Sequence, residues 1–476
     1  MASFQSINSF SHQYQGSINF PQSKRIDLTR RRTLILTCER KNEFDFDQNK
    51  SGDTKKKNLR ILIAGGGIGG LVFALAAKKR GYDVKVFERD LSAIRGEGNH
   101  RGPIQLLSSA LAVLESIDVT VAKQVMDAGC VTGDRINGLA DGVTGDWFVK
   151  LDLLNPAIRR GLPVTRVICR MALQDILVNA VGDDIVKNKS KVVDFVEESN
   201  KVRVILENGQ HYEGDLLIGA DGIWSKVRSR LFGAKDPSYS SYTCYSGLTE
   251  FVPPYIDSVG YRVFLGLDQY FVASDVGNGK MQWYAFHKEA PMNAGTDDGV
   301  KKKRLLELFG NWCGDVTTLI AETPEAMILH RDIYDRDMLY RWGAGLVTLL
   351  GDAAHPMQPN LGQGGCMAIE DCYSLILELD KITKLGSGDY EPKDIISALR
   401  RYEWRRIPRV SIVHNMSRMT SKILSSYKPY VKIELGLFSF LPSKSIAHPA
   451  IPAARMIVQT FLPIYLNWMI AGTGFW

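Results

Sequence analysis

The sequence predicts a mixed α/β fold, in which a Rossmann-like dinucleotide-binding domain carries an antiparallel β-sheet substrate domain and a helical C-terminal region. Three observations predict it. Arg60 to Glu88, RILIAGGGIGGLVFALAAKKRGYDVKVFE, reads as strand, glycine turn, helix and strand. Two later apolar runs, Leu216–Ala220 and Leu346–Leu350, stop at Asp221-Gly222 and at Gly351-Asp352, as buried parallel strands do at a ligand-binding edge. From Cys244 to His287, Tyr, Val and Phe become frequent between turn residues, which is the signature of antiparallel strands. The expected organisation is a leader and linker over 1–58, a dinucleotide-binding domain over 59–240, the substrate sheet over 241–335, a return to the first domain over 336–425, and an apolar segment over 426–476.

The leader is rich in Ser, Gln and Asn, has one acid before Glu39, and carries Arg30, Arg31 and Arg32. That composition is the one expected of an organelle transit peptide. Of the net charge of +7, residues 1–58 hold +5, leaving +2 for the rest. A nucleic-acid partner would want a basic face on the folded part, so this distribution argues against one. Seven cysteines are scattered without a C-x-x-C pair, and no metal site is expected.

In the first block, Gly65, Gly67 and Gly70 have G-x-G-x-x-G spacing, with Ile68 and Gly69 between the last two. Gly65 permits the tight turn, Gly67 lets backbone approach a pyrophosphate, and Gly70 lets helix and strand pack closely. The helix start then offers free N–H groups and a positive dipole end to an anion. Glu88 follows 23 residues after Gly65, where an acid can accept hydrogen bonds from ribose hydroxyls.

The loop after Glu88 holds Arg95 and Arg101, which either contact cofactor phosphate or are solvated. Leu106–Leu114 reads as helix. Arg170 opens the helix RMALQDILVNAV on the same face as Leu173 and Leu177, so an anionic partner such as a pyrophosphate is expected for it. Val202–Leu206 reads as a strand, with Asn208-Gly209 as its hairpin turn. Asp221, with Gly222 after it, ends the next strand and either binds ligand, caps the following helix, or does both. In the substrate segment, YRVFLGL, QYFVASDV and MQWYAFH read as strands. Their aromatics, Tyr261, Phe264, Tyr270, Phe271, Trp283, Tyr284 and Phe286, are mostly core, with a minority available to line an apolar pocket.

The third block is LVTLLGDAAHPMQPNLGQGGCMAIEDCYSLILELDK. Asp352 is placed to bind a polyol hydroxyl. Pro356 and Pro359 keep the loop extended, and Gly362, Gly364 and Gly365 lead into a helix whose dipole can face a ring that becomes anionic. His355 and Cys366 read as structural, and no side chain stands out as the proton donor. Residues 405–410 read as a helix end. Met456–Trp476 has no charge but is interrupted by Pro463, Asn467, Gly472 and Gly474, so it reads as an interfacial segment or a packed helix rather than a membrane span.

Together, GGGIGG…E, GADG…R and GD…P…G-x-G-G resemble the FAD-dependent aromatic-hydroxylase class of monooxygenases. Within that class, QPNLGQGGCMAIED (358–371) is most similar to the plant zeaxanthin epoxidase family. The resemblance implies that Gly65, Gly67, Gly70 and Glu88 hold the adenosine end of FAD. By the same resemblance Arg170 meets the pyrophosphate, and Asp221 and Gly222 serve FAD and the nicotinamide cofactor. Asp352 would bind the ribityl chain, and Pro359 to Gly365 would border the isoalloxazine ring. It further implies NADPH, or electrons relayed by ferredoxin, and O2 activation through a flavin C4a-hydroperoxide. The substrate would be a xanthophyll such as zeaxanthin, epoxidised on its ring to antheraxanthin and violaxanthin. That chemistry belongs to xanthophyll and abscisic acid biosynthesis at a chloroplast thylakoid or envelope surface. Two features depart from that family: these 476 residues hold no counterpart of its forkhead-associated domain, and GDAAHPM is closer to the wider class. The alternatives are a hydroxylase of another aromatic or small apolar substrate, and a binding protein without flavin chemistry.

Overall fold

Ile61, Leu62, Ile63 and Ala64 are buried on both faces of the sheet, which is why this run is uninterruptedly apolar. They form strand Arg60–Ala64, at the centre of a six-stranded sheet. The order is Gly343–Ala344, Val347–Leu349, Leu216–Gly219, Arg60–Ala64, Asp83–Phe87 and Val186–Lys187, parallel except for the first pair. The computed structural model describes residues 58–92, 102–291, 300–385, 390–425, 430–433, 444–447 and 451–472. The leader up to residue 57, Arg95 and Arg101 lie outside them.

Helix Ile68–Lys78 is apolar nearly all round and buried from Gly69 to Ala77. It needs that composition because it packs between the sheet, helix Arg170–Val181 and helix Gly364–Leu385. Each fully buried Leu or Phe there contributes roughly 1.5–3 kcal/mol. Gly81, with φ +76°, stops the chain after this helix as expected. The expected helix at 106–114 is Ser108–Ile117, and the Asn208-Gly209 hairpin joins Val202–Leu206 to His211–Gly214.

The second large sheet has seven strands, in the order Ile328–Asp335, Ser238–Thr249, Met281–Lys288, Gln269–Asp275, Val259–Gly266, Ile136–Asp141 and Trp147–Leu151. It is antiparallel except where Val259–Gly266 runs beside Ile136–Asp141. Its last two strands come from outside the 241–335 segment, because residues 136–151 carry a polar turn at 142–146 rather than the aromatic run that marks the others.

Strand alternation divides the aromatics. Phe264, Phe271 and Trp283 pack with Phe309 and Trp312 on the face covered by helices Lys301–Phe309 and Gly314–Glu322. Tyr261, Tyr270, Tyr284 and Phe286 lie on the opposite face with Tyr242 and Cys244. His287 stacks on Tyr245 at 5.8 Å, and burial followed by the nearby Arg304 pulls it down to about 4. A histidine at about 6.5 when unfolded and about 4 when folded contributes stability that is complete above pH 6.5 and is lost as pH falls towards 4. Unfolding free energy should therefore drop by about 3 kcal/mol across that window, less what Glu289, 3.4 Å away, recovers. Urea titrations at pH 4 to 7 check this, and His287→Gln should flatten the slope.

Two C-terminal features differ from the sequence reading. The helix end expected at 405–410 is absent, since one helix runs from Pro392 to Ser425 through Pro408. Proline there removes one backbone bond, worth about 3 kcal/mol with the ring clash. The orphaned carbonyl belongs to Trp404, whose 79 % exposure leaves water within reach, while Arg406 and Arg409 on the inner face anchor both sides of the proline. Ile451–Ala471 is likewise one helix despite Pro463. Its last residues, Met469, Ile470 and Ala471, are buried, and no described helix is long and apolar enough to cross a membrane.

Candidate functional site

The glycine turn lies at the C-terminal edge of the central sheet. Gly65 has φ +105°, and any Cβ on it would strike the Ala220 carbonyl at the end of the neighbouring strand. A Cβ on Gly70 would fall on the Gly65 carbonyl oxygen, so strand and helix touch backbone to backbone. Around Gly67 the space is open for 4 Å. Gly67 caps the helix with no side-chain hydrogen bond, and no acid occupies the first turn that Ile68 opens. This is a bare helix N-terminus facing open space, a fit for a pyrophosphate. Gly69 does something else: its missing side chain makes room for Leu350, 2.7 Å from where a Cβ would stand, and so seats the third block against the first.

Glu88 ends the second strand with its carboxylate held in place. Gly66 N donates to Oε2 at 2.7 Å and Asp90 N to Oε1 at 2.9 Å. A carboxylate with two oxygens can still accept from ribose hydroxyls.

Ser225 is the N-cap of helix Lys226–Phe232, and Asp221 supports the same end through Oδ2, which accepts from Lys226 N at 2.7 Å and Val227 N at 3.3 Å. Its Oδ1 is buried without a hydrogen-bond partner, and burial raises the carboxyl above its usual range. An orphaned buried carboxylate oxygen at this sheet edge fits a cofactor hydroxyl or a bridging water. Gly222 follows with φ +76° and open space around it. In the first turn of that helix, buried Arg228 donates to the carbonyls of Ala353 and Ala354 at 3.3 and 3.2 Å and so ties the second block to the third. Burial, with Arg336 nearby, pulls Arg228 down to about 10.

The third block turns at Gly351, φ +60°, and places Asp352 against the start of helix Gly364–Leu385. Asp352 Oδ1 lies 3.7 Å from where a Gly364 Cβ would stand. Between them, Pro359–Leu361 forms one helical turn, and Gly362 takes φ +63° beside Gln105. A Cβ on Gly365 would collide with Ile104. Cys366 is fully buried between the backbone of Gln105 and Leu107, and burial pushes its thiol up to about 12, so it is a packed residue. The substrate sheet reaches this loop through Tyr270, whose hydroxyl donates to Asn360 Oδ1 at 2.5 Å. Tyr284 donates to Pro103 O at 3.1 Å and lies close enough to Arg170 to feel its charge. Tyr270 stacks on Phe286 at 4.2 Å, and burial pushes Tyr261 up to about 12. The sheet therefore offers neutral phenols and apolar rings towards the loop.

The structure thus brings together the glycine turn, Glu88, Asp221, Asp352 and the 359–365 loop along one sheet edge, with Arg170 beside the substrate sheet. Arg101 lies outside the described residues. Reading by motif missed Arg228 as the tie between blocks, and it missed a buried ionic cluster behind the loop. There Asp371 Oδ2 meets His355 Nε2 at 2.6 Å and Gly351 N at 3.1 Å, and Arg406 Nε donates to Asp371 Oδ1 at 2.7 Å. The signals for it were the acidic pair Glu370-Asp371 in the apolar first half of this helix and the basic cluster at 405–410. Asp352→Ala should leave the fold intact, since that side chain is only half-buried, and lower FAD affinity about tenfold, the value of one charge-assisted hydrogen bond. Flavin retained per protein after gel filtration checks it.

Residues 58–401 match the FAD binding domain family, and the chain belongs to that family. It is 59% identical over 422 residues to a chloroplastic zeaxanthin epoxidase of an Oncidium hybrid cultivar, an alignment covering 89% of this chain and 64% of that one. It is 60% identical over 421 residues to the chloroplastic zeaxanthin epoxidase of Prunus armeniaca, covering 88% and 64%. The chain thus spans a little under two thirds of the length of these relatives. Among solved structures, a variant of Klebsiella pneumoniae HpxO complexed with FAD is similar at a TM-score of 0.67 and 26% identity, covering 78% of this chain and 91% of that one. A salicylate hydroxylase substrate complex shares the fold at a TM-score of 0.68 and 20% identity, covering 88% and 97%. The aromatic-hydroxylase type of FAD-binding fold expected from the three blocks is the fold observed.

Proposed function

We propose that this chain is an FAD-dependent monooxygenase that epoxidises the ring alkene of a xanthophyll such as zeaxanthin in a plastid. The observation that carries the reading is the convergence of all three motif blocks on one sheet edge, in a chain 59% identical to a zeaxanthin epoxidase over 422 residues. Bound FAD, reduced by NADPH directly or through ferredoxin, supplies the two electrons with which dioxygen is divided between the alkene and water.

In this reading Gly65, Gly67, Gly70 and Glu88 hold the adenosine end, Ile68 opens the helix that faces the cofactor, and Gly69 serves it by seating the third block against the first. Arg170 meets the pyrophosphate, Asp221 and Gly222 serve FAD and the nicotinamide cofactor, Asp352 binds the ribityl chain, and Pro359, Gly362, Gly364 and Gly365 line the ring. The helix start at Gly364, which has no acid in its first turn, stabilises negative charge on the ring. Tyr261, Tyr270, Tyr284 and Phe286 form the wall that excludes water and packs on the substrate, and none of these phenols gives up its proton near neutrality.

A substrate of this kind is dissolved in membrane, and the structure offers a surface to match. Met456, Ile457, Phe461 and Ile464 share one outward face of helix Ile451–Ala471, each more than half exposed. Arg455, held by the carbonyls of Trp147 and Phe148, sits at its edge. The test is oxygen uptake by the FAD-replete full chain with NADPH, or with reduced ferredoxin. Zeaxanthin in lipid vesicles should stimulate it and soluble aromatics should not. Stimulation by a soluble aromatic alone would replace this reading with an aromatic hydroxylase.

A further inference from the structure

We infer that Asp371 is a positioning residue for the ring end of the cofactor site, and that Glu370 and Arg409 carry its setting to the last turn of the C-terminal helix. The inference rests on the FAD-site reading above and adds residues that neither the motifs nor the chemistry assign.

The chain of contacts is continuous. Asp371 stands on helix Gly364–Leu385 and accepts at 3.1 Å from the amide N of Gly351, the residue immediately before Asp352. It thereby fixes the turn that presents Asp352 against the helix start at Gly364. Arg406, 1% exposed on the side chain, bridges Asp371 at 2.7 Å and Glu370 at 3.0 Å. Arg409 takes the other side of Glu370 through two hydrogen bonds of 2.8 and 3.0 Å. The same guanidinium donates to Met469 O at 3.0 Å and Trp468 O at 3.4 Å, and lies 4.4 Å over the Trp468 ring. From Gly351 to Met469 in helix Ile451–Ala471, every link is a charge-assisted hydrogen bond between buried groups, where such bonds are stiff and directional.

Plain stabilisation does not require this arrangement, because well-packed apolar residues of similar volume usually do as well or better than buried ion pairs. What charges add is a fixed geometry. Here the geometry they fix joins four separate elements: the Gly351 turn, helix Gly364–Leu385, helix Pro392–Ser425 with its two arginines, and the C-terminal helix. If helix Ile451–Ala471 shifts, Arg409 moves with its carbonyls, and Glu370, Arg406 and Asp371 transmit that shift to the site. The pair Arg401–Glu378 spans the same two long helices at 2.8 Å, touches no site residue and has its arginine at the surface, so it is the control for a link between these helices that does not reach the site.

The test compares the wild-type chain with Asp371→Asn, Arg409→Lys and Arg401→Gln. Measured are FAD dissociation constants, the visible bands of the bound flavin at saturation, and the melting temperature of apoprotein. Asp371→Asn should weaken FAD about tenfold or more and shift the bound-flavin bands. Arg409→Lys should shift them in the same direction by less, and Arg401→Gln should not shift them. A merely structural role would lower melting temperatures and leave the saturated spectra superimposable on wild type, and that result overturns the inference. So does an equal shift in Arg401→Gln. If Asp371→Asn does not fold, Arg409→Lys decides, because it keeps the charge and loses only the fork. A wild type that takes up no FAD refutes the underlying site reading and is seen before any variant is compared.

Discussion

Gly70→Ala is expected to abolish FAD binding and to destabilise the fold by about 3 kcal/mol, because its new methyl group would land on the Gly65 carbonyl with only backbone around it to yield. Helix Ile68–Lys78 would have to lift from the central strand, taking the glycine turn with it. Gly67→Ala separates this packing effect from cofactor contact. Nothing in the protein lies within 4 Å of that added methyl group, so apoprotein stability should change by less than about 1 kcal/mol. FAD affinity should nevertheless fall roughly tenfold to a hundredfold, since the methyl group enters the space assigned to the pyrophosphate. Denaturant unfolding of apoprotein and flavin fluorescence titration measure the two quantities. Unchanged affinity in Gly67→Ala would put the phosphates elsewhere.

The second large effect is expected from Arg406→Met. Its guanidinium is the shared partner of Glu370 and Asp371, all three nearly inaccessible; Arg406 with Arg409 holds Glu370, and His355 with Arg406 holds Asp371, below the ordinary carboxylate range. Removing it leaves buried carboxylates undercompensated, which costs about 3–5 kcal/mol. Arg401→Gln should cost less than about 1 kcal/mol, because Glu378 keeps Lys381 at 2.6 Å and Arg405 at 3.0 Å and the lost partner is 44% exposed. Equal losses in the two variants would show that burial of the cluster carries little energetic weight.

The parts of this molecule that sequence makes legible are those in which one residue type has one physical use. Gly65 needs a positive φ, Gly70 needs a missing Cβ, and the four-residue strand Leu216–Gly219 is buried on both faces. Each leaves a local mark. Alternation in MQWYAFH likewise marks a strand and puts Trp283 and Tyr284 on opposite faces, but which face meets the loop depends on partners far away in sequence. Pro408 misleads for a related reason. Its local preference for ending a helix is outweighed by Arg406 and Arg409, whose partners lie 35 to 39 residues upstream. Asp221 falls in between: motif and spacing locate it, while the division of labour between its two oxygens, one supporting the helix start and one unpartnered, is visible only in the fold.

The most direct measurement is product analysis of the FAD-replete full chain incubated with zeaxanthin in lipid vesicles, reductant and oxygen-18 gas. The account predicts mono- and di-epoxide, each epoxide oxygen carrying the heavy isotope and the label lost when reductant is withheld. A protein that binds and reduces FAD, consumes oxygen and leaves zeaxanthin unaltered would contradict the assigned substrate, and with it the proposed function.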